Sequence, residues 1–159
     1  MNDANLDLTI SRLIKAPCKY VWQAWANPAH LEQWWCPKPW TTQVREFDLA
    51  AGGAFDTLML GPNGEREDNP GCFLAVEPME RVVFTSVLAK GWRPAPDYFM
   101  PMTAIITMAD EGENTRYQAR VLHKNPEDKK RHEEMGFHEG WGICIQQLEE
   151  MAIKLLRQG

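Results

Sequence analysis

The sequence predicts an α+β domain, an antiparallel sheet covered by a long C-terminal helix. Three observations predict it. Alternating apolar and polar segments follow one another between residues 41 and 123 with turn-length connections, the pattern of antiparallel strands. Phe137, Trp141, Ile145, Leu148, Ala152 and Leu155 then recur at intervals of three and four, which draws one apolar stripe down a helix. Finally, 159 residues without a repeat, a low-complexity tract or a linker make one domain, residues 1–159, large enough to bury one core.

The elements follow in order. Residues 7–15 alternate well enough for a first strand, with Leu6, Leu8, Ile10 and Leu13 as its apolar positions. Pro17 suits the first turn of a helix, where its missing N–H costs nothing, and Val21, Trp22 and Trp25 share one side of it. Asn27-Pro28 ends that helix. A second short helix is predicted over residues 29–34, stopped by Pro37 and Pro39. Strands are predicted over residues 41–49 and 54–60, the second ending in the hairpin signal Gly61-Pro62-Asn63-Gly64. Residues 65–76 read as a strand interrupted near Asn69-Pro70-Gly71, and residues 81–88 as a Val/Phe/Thr-rich strand. Residues 90–100 are a Pro-rich loop, and residues 101–108 and 114–123 are two more strands. About six or seven strands and two short helices after the first strand therefore precede a helix predicted over residues 137–156.

Period two assigns the faces. In the last strand Tyr117, Ala119, Val121 and His123 share the inward side, opposite Arg116, Gln118 and Arg120. Phe55, Thr57 and Met59 share a side of the strand after Gly53, with Asp56 marking the other side as wet. Leu58 and Leu60 then fall on the wet side, which predicts either a homodimer contact there or a change of parity at that end.

Composition excludes several classes. A net charge of −5 and a pI near 5.4 argue against nucleic acid or an anionic membrane surface as the main partner. No apolar run approaches the ~20 residues of a membrane span, and the first residues carry no signal pattern. The cysteines at 18, 36, 72 and 144 form no C-x-x-C pair and read as free, buried thiols in a reducing compartment, so a cytoplasmic location is expected. On one continuous helix His132 and His138 would stand about 120° apart, so they do not converge on a metal. Glu134 and His138, four apart, are expected to form a surface pair. No metal and no cofactor are expected, and the Gly-rich turns lack phosphate-loop spacing.

Trp34-Trp35-Cys36-Pro37 before the second strand, Gly52-Gly53, Gly61-Pro62-Asn63-Gly64, Glu77-Pro78-Met79-Glu80-Arg81, and the late segments His132-Glu133-Glu134-Met135-Gly136-Phe137 and Gly140-Trp141-Gly142 occur in a characteristic order. In that order they resemble the activator of heat-shock protein 90 ATPase-like family, part of the START-like, or SRPBCC, helix-grip superfamily. The resemblance spans residues 10–156, and Cys36 departs from it where the family usually carries Gly. It implies a curved antiparallel sheet gripping the C-terminal helix, with a cavity between them. Superfamily relatives bind lipids, hormones or polyketides, some catalyse cyclisation, and the eponymous members stimulate a chaperone ATPase.

Within that frame the expected function is binding of a small, largely hydrophobic molecule. Phe55, Thr57, Met59, Tyr117, His123 and Trp141 are expected to line the cavity by parity and by the helix stripe. Trp40, at the start of a strand, is expected at its mouth, and Phe73, Phe137 and Ile145 complete the expected lining. Two alternatives stand beside this reading. One is a protein-interaction module like the activator domain, against which only a few residues precede the first strand, whereas the activators carry a further N-terminal domain. The other is a cyclase-like enzyme with His123 as base, for which no partner residue is visible by spacing, so no catalytic residue is assigned.

Overall fold

A computed structural model describes residues 3–159. Strand β1 (Asp7–Ile14) leads through Pro17, which stands at the N-cap and not in the first turn, into helix α1 (Cys18–Ala26). Helix α2 (Pro28–Leu31) follows at once, with the Asn27 side chain accepting from the Ala29 N–H. It is shorter than the predicted 29–34, and Gln33, Trp34 and Trp35 continue it only as hydrogen-bonded turns.

Strands β2 (Thr41–Phe47), β3 (Phe55–Leu60) and β4 (Arg66–Asn69) form a three-stranded antiparallel sheet in that order. Strands β5 (Cys72–Glu77) and β6 (Arg81–Thr85) belong to a second, five-stranded sheet, as do β9 (Thr103–Glu111) and β10 (Asn114–Leu122). Its order is β1-β10-β9-β6-β5, and every pairing is antiparallel. The two sheets meet at a bridge between Ala54 and Cys72, reinforced by hydrogen bonds between the 52–55 and 71–73 backbones. Register shifts at Val44/Glu46 and Phe73/Ala75 add the local bends that curve the surface.

The predicted 65–76 strand is thus two strands in two sheets, because Pro70 lacks an N–H for the ladder and Gly71 approaches the Phe55 carbonyl closely. The predicted loop over 90–100 contains a minute hairpin, β7 (Leu88–Ala89) and β8 (Arg93–Pro94), around a 3-10 turn at Lys90–Trp92. Leu58, on the outer face of β3, is only 6% exposed within the single chain, so its burial needs no second copy. It lies between Gln43 of β2 and Asp68 of β4.

After β10 come two helices, α3 (Pro126–Glu134) and α4 (Phe137–Gln158). Gly136, at φ 91°, breaks them apart. In α4, Phe137, Ile145, Leu148, Met151 and Ala152 are buried, and they join the core formed with Ile10, Ile106, Ala119 and Val121 from the large sheet. A Cβ added at Gly142 would stand in ordinary van der Waals contact with the Ile10 and Arg12 side chains. The result is a large antiparallel sheet wrapped against a C-terminal helix, a helix-grip arrangement. Among the described residues no helix is long and apolar enough to cross a membrane.

Candidate functional site

A cavity of about 340 Å³ opens between the sheet and the first turns of α4. Its far wall is β3, whose period-two alternation turns Phe55, Thr57 and Met59 toward it. Tyr117 of β10 and Phe84 of β6 form the floor, Trp35 a side, and Phe137, Gly140, Trp141, Cys144 and Ile145 the helix wall. A Cβ added at Gly140 would meet nothing within 4 Å, so this glycine leaves helix backbone facing open space. The rim is apolar and exposed: Tyr98, Phe99 and Met135 line the opening at 44%, 54% and 48% exposure.

The floor is held rigid by aromatic contacts. Trp25 meets Trp34 and Trp35 edge-on at 5.6 and 5.3 Å, and Phe55 stacks on Phe73 at 4.8 Å. The Trp25 indole N–H donates to the Tyr117 hydroxyl at 2.9 Å, and burial raises the Tyr117 pKa, so the phenol keeps its proton. The Trp34 indole is satisfied in the same way, donating to the Ala24 carbonyl at 2.9 Å.

Polar atoms on the wall are few. The Thr57 hydroxyl makes no protein hydrogen bond among the described residues, whereas Thr85 and Ser86 are engaged with the Met100 and Met102 backbone. Burial pushes the Cys144 thiol up to about 12, which keeps it protonated and unreactive. His132 of α3 also lines the cavity, and its Nδ1 lies 2.9 Å from His123 Nε2. Local sequence places it there: the Asn125 side chain caps α3 by accepting from the Asp128 N–H at 2.8 Å, Pro126 starts the helix, and His132 follows two turns later.

Of the residues expected from sequence, Phe55, Thr57, Met59, Tyr117, Phe137, Trp141 and Ile145 stand on the cavity wall. Three stand elsewhere. Phe73 is fully buried behind Phe55, and Trp40 is half-buried at the start of β2, away from the lining. His123 is buried one residue beyond β10, and it reaches the cavity only through His132. Among the lining residues that the sequence did not point to are Trp35, Phe84, Cys144, His132 and the Tyr98–Met102 rim. The rim had a signal, an aromatic and methionine-rich run in a proline-broken loop; the others had none at their positions.

The two histidines of the 132–138 segment serve different partners. His138 Nε2 lies 3.6 Å from Glu133, and Glu134 lies nearest Lys130, so the expected Glu134–His138 pair is replaced. The cause is Gly136, which resets the helical phase between them. Among the described residues no three His, Cys, Asp or Glu side chains gather as a metal site, and the four cysteines are free.

Comparison with known proteins places this geometry. The family described as activator of Hsp90 ATPase homolog 1-like protein matches residues 15–152. The crystal structure of a protein from Nitrosomonas europaea is 43% identical, with a TM-score of 0.92 over 98% of this chain and 99% of that one. A protein from Mycobacterium smegmatis is 26% identical with a TM-score of 0.81, covering 95% of this chain and 93% of its own. A solution structure from Arthrobacter aurescens, 23% identical with a TM-score of 0.83 over 97% and 90% of the two chains, shares the fold. None of the curated proteins compared matches the chain. The chain belongs to the activator of Hsp90 ATPase homolog 1-like family.

Proposed function

We infer that the protein binds a small, largely apolar molecule in the cavity between the sheet and α4. The observation that carries this reading is the cavity itself: about 340 Å³ of space, walled mostly by aromatic and methionine side chains, with only a few polar atoms on its surface. A packed core does not leave such a space, and small-molecule sites commonly have this composition. The exposed Tyr98, Phe99 and Met135 give an apolar ligand a path inward.

The test is uptake of an apolar fluorescent probe, N-phenyl-1-naphthylamine, by the parent chain and by Thr57→Trp. Thr57 is 2% exposed and on the wall, so an indole there grows into the cavity. The expected result is saturable uptake by the parent, loss of uptake in the variant, and little change in melting temperature. If the region were a filled core, the same substitution would overpack it and cost ~1–3 kcal/mol. A strong loss of stability together with no uptake by the parent contradicts the reading.

A further inference from the structure

A buried pair of imidazoles, His123 and His132, stands at the cavity wall. The Leu6 carbonyl accepts twice from His123, from the backbone N–H at 3.0 Å and from ring Nδ1 at 2.8 Å. A carbonyl only accepts, so His123 Nδ1 must carry a proton. With His123 uncharged, its other ring nitrogen is then an acceptor. That nitrogen, Nε2, lies 2.9 Å from His132 Nδ1, so His132 Nδ1 is the donor of the second bond. The same reasoning leaves His132 Nε2 without a proton. It has no protein hydrogen bond among the described residues, although His132 is only 9% exposed and lines the cavity. The ring is wedged edge-on against Phe137 at 5.1 Å, which leaves it little freedom to turn. Desolvation, with His123 and Arg131 adding, pushes the His132 pKa down to about 4, so the ring is neutral near pH 7.

We propose that the Leu6–His123–His132 relay holds His132 Nε2 as a fixed hydrogen-bond acceptor, and that the cavity therefore selects apolar molecules whose polar end is a donor, an alcohol or a phenol. This rests on the ligand-binding reading and narrows it. A carboxylate or an ether at that position would set lone pair against lone pair, and a hydrocarbon would leave the nitrogen buried without a partner. His132 touches the ligand; His123 is a positioning residue that fixes the His132 tautomer. The other polar group on the floor has the opposite character. Tyr117 oxygen already accepts from Trp25, so its own proton remains to donate.

The assignment is tested first without any ligand. Long-range proton–nitrogen correlation spectra at pH 7.5 should show both rings protonated at Nδ1 and bare at Nε2. A proton on His132 Nε2 would overturn the proposal. The selectivity is tested by titration calorimetry at the same pH with 2-naphthol, 2-fluoronaphthalene and naphthalene. These share a shape, and only the first donates. The parent should bind 2-naphthol about tenfold more tightly than 2-fluoronaphthalene. In His132→Asn the amide can still donate to His123 from the Nδ1 position, but nothing replaces Nε2. That variant should bring the 2-naphthol to 2-fluoronaphthalene ratio close to one, and Tyr117→Phe should keep the preference. Equal affinities in the parent overturn the relay while leaving the apolar-ligand reading in place. Failure of all three compounds to bind overturns both.

Discussion

At the scale of single residues, burial without charge is the recurring device. His132 is harder to protonate in the folded chain than in the unfolded one, where an imidazole titrates near 6.5. Its contribution to stability is therefore fully present above pH 6.5 and is lost as pH falls toward about 4. Denaturant unfolding of the parent and of His132→Asn across that window should show the parent losing about 2 kcal/mol more than the variant. Parallel pH profiles would contradict the burial of this ring. Tyr117→Phe makes a second test, because it leaves the buried Trp25 indole N–H without its acceptor. A loss of ~1–3 kcal/mol in unfolding free energy is expected, and a neutral result would mean that water enters the cavity floor to replace the phenol.

The site residues were unevenly legible at this scale, for a physical reason. Side chains on β3 and β10 alternate with period two, so the placement of Phe55, Thr57, Met59 and Tyr117 on the wall followed from counting. His132 could not be counted. Its meeting with His123 depends on the Asn125 cap and on the angle at which α3 leaves the sheet, and neither has a period.

At the scale of elements, the break between α3 and α4 matters most. It moves the apolar stripe of α4 onto the sheet while α3 folds back over the end of β10, and it opens the cavity mouth at Met135. Gly136 sits at φ 91° with nothing within 4 Å of where a Cβ would be, so Gly136→Ala meets backbone strain and no clash. Its expected cost is ~1–2 kcal/mol. Gly53 differs. A Cβ there would lie 2.0 Å from the Asp48 carbonyl oxygen, a backbone atom that cannot step aside. Gly53→Ala should therefore abolish folding of the β2–β3 turn and leave little soluble native protein, while Gly136→Ala remains folded in circular dichroism. Similar melting temperatures for the two would contradict the geometry of both turns. The main strands and the long helix were legible because their periodicities are sustained over five residues or more. The sequence showed α2 too long and hid the 88–94 hairpin, because elements of two to four residues carry no period to read.

At the scale of the whole molecule, two sheets joined at Ala54–Cys72 curve around α4 and leave the cavity off-centre, near the N-terminal turns of that helix. The C-terminal turns, with Leu148, Met151 and Ala152 buried, pack the rest of the core solidly. The order of elements was readable because turn-length connections allow few antiparallel topologies. The volume left between sheet and helix was not, since it depends on how rings such as Trp35 and Phe84 stack, and no local pattern encodes that. Where an apolar molecule sits can be measured directly by intermolecular nuclear Overhauser effects from bound naphthalene to protein methyl groups. Contacts are expected to Met59, Met102 and Ile145, which share the cavity wall. Contacts confined to exposed side chains such as Met79 and Leu156, or none at saturating naphthalene, would contradict binding in the cavity.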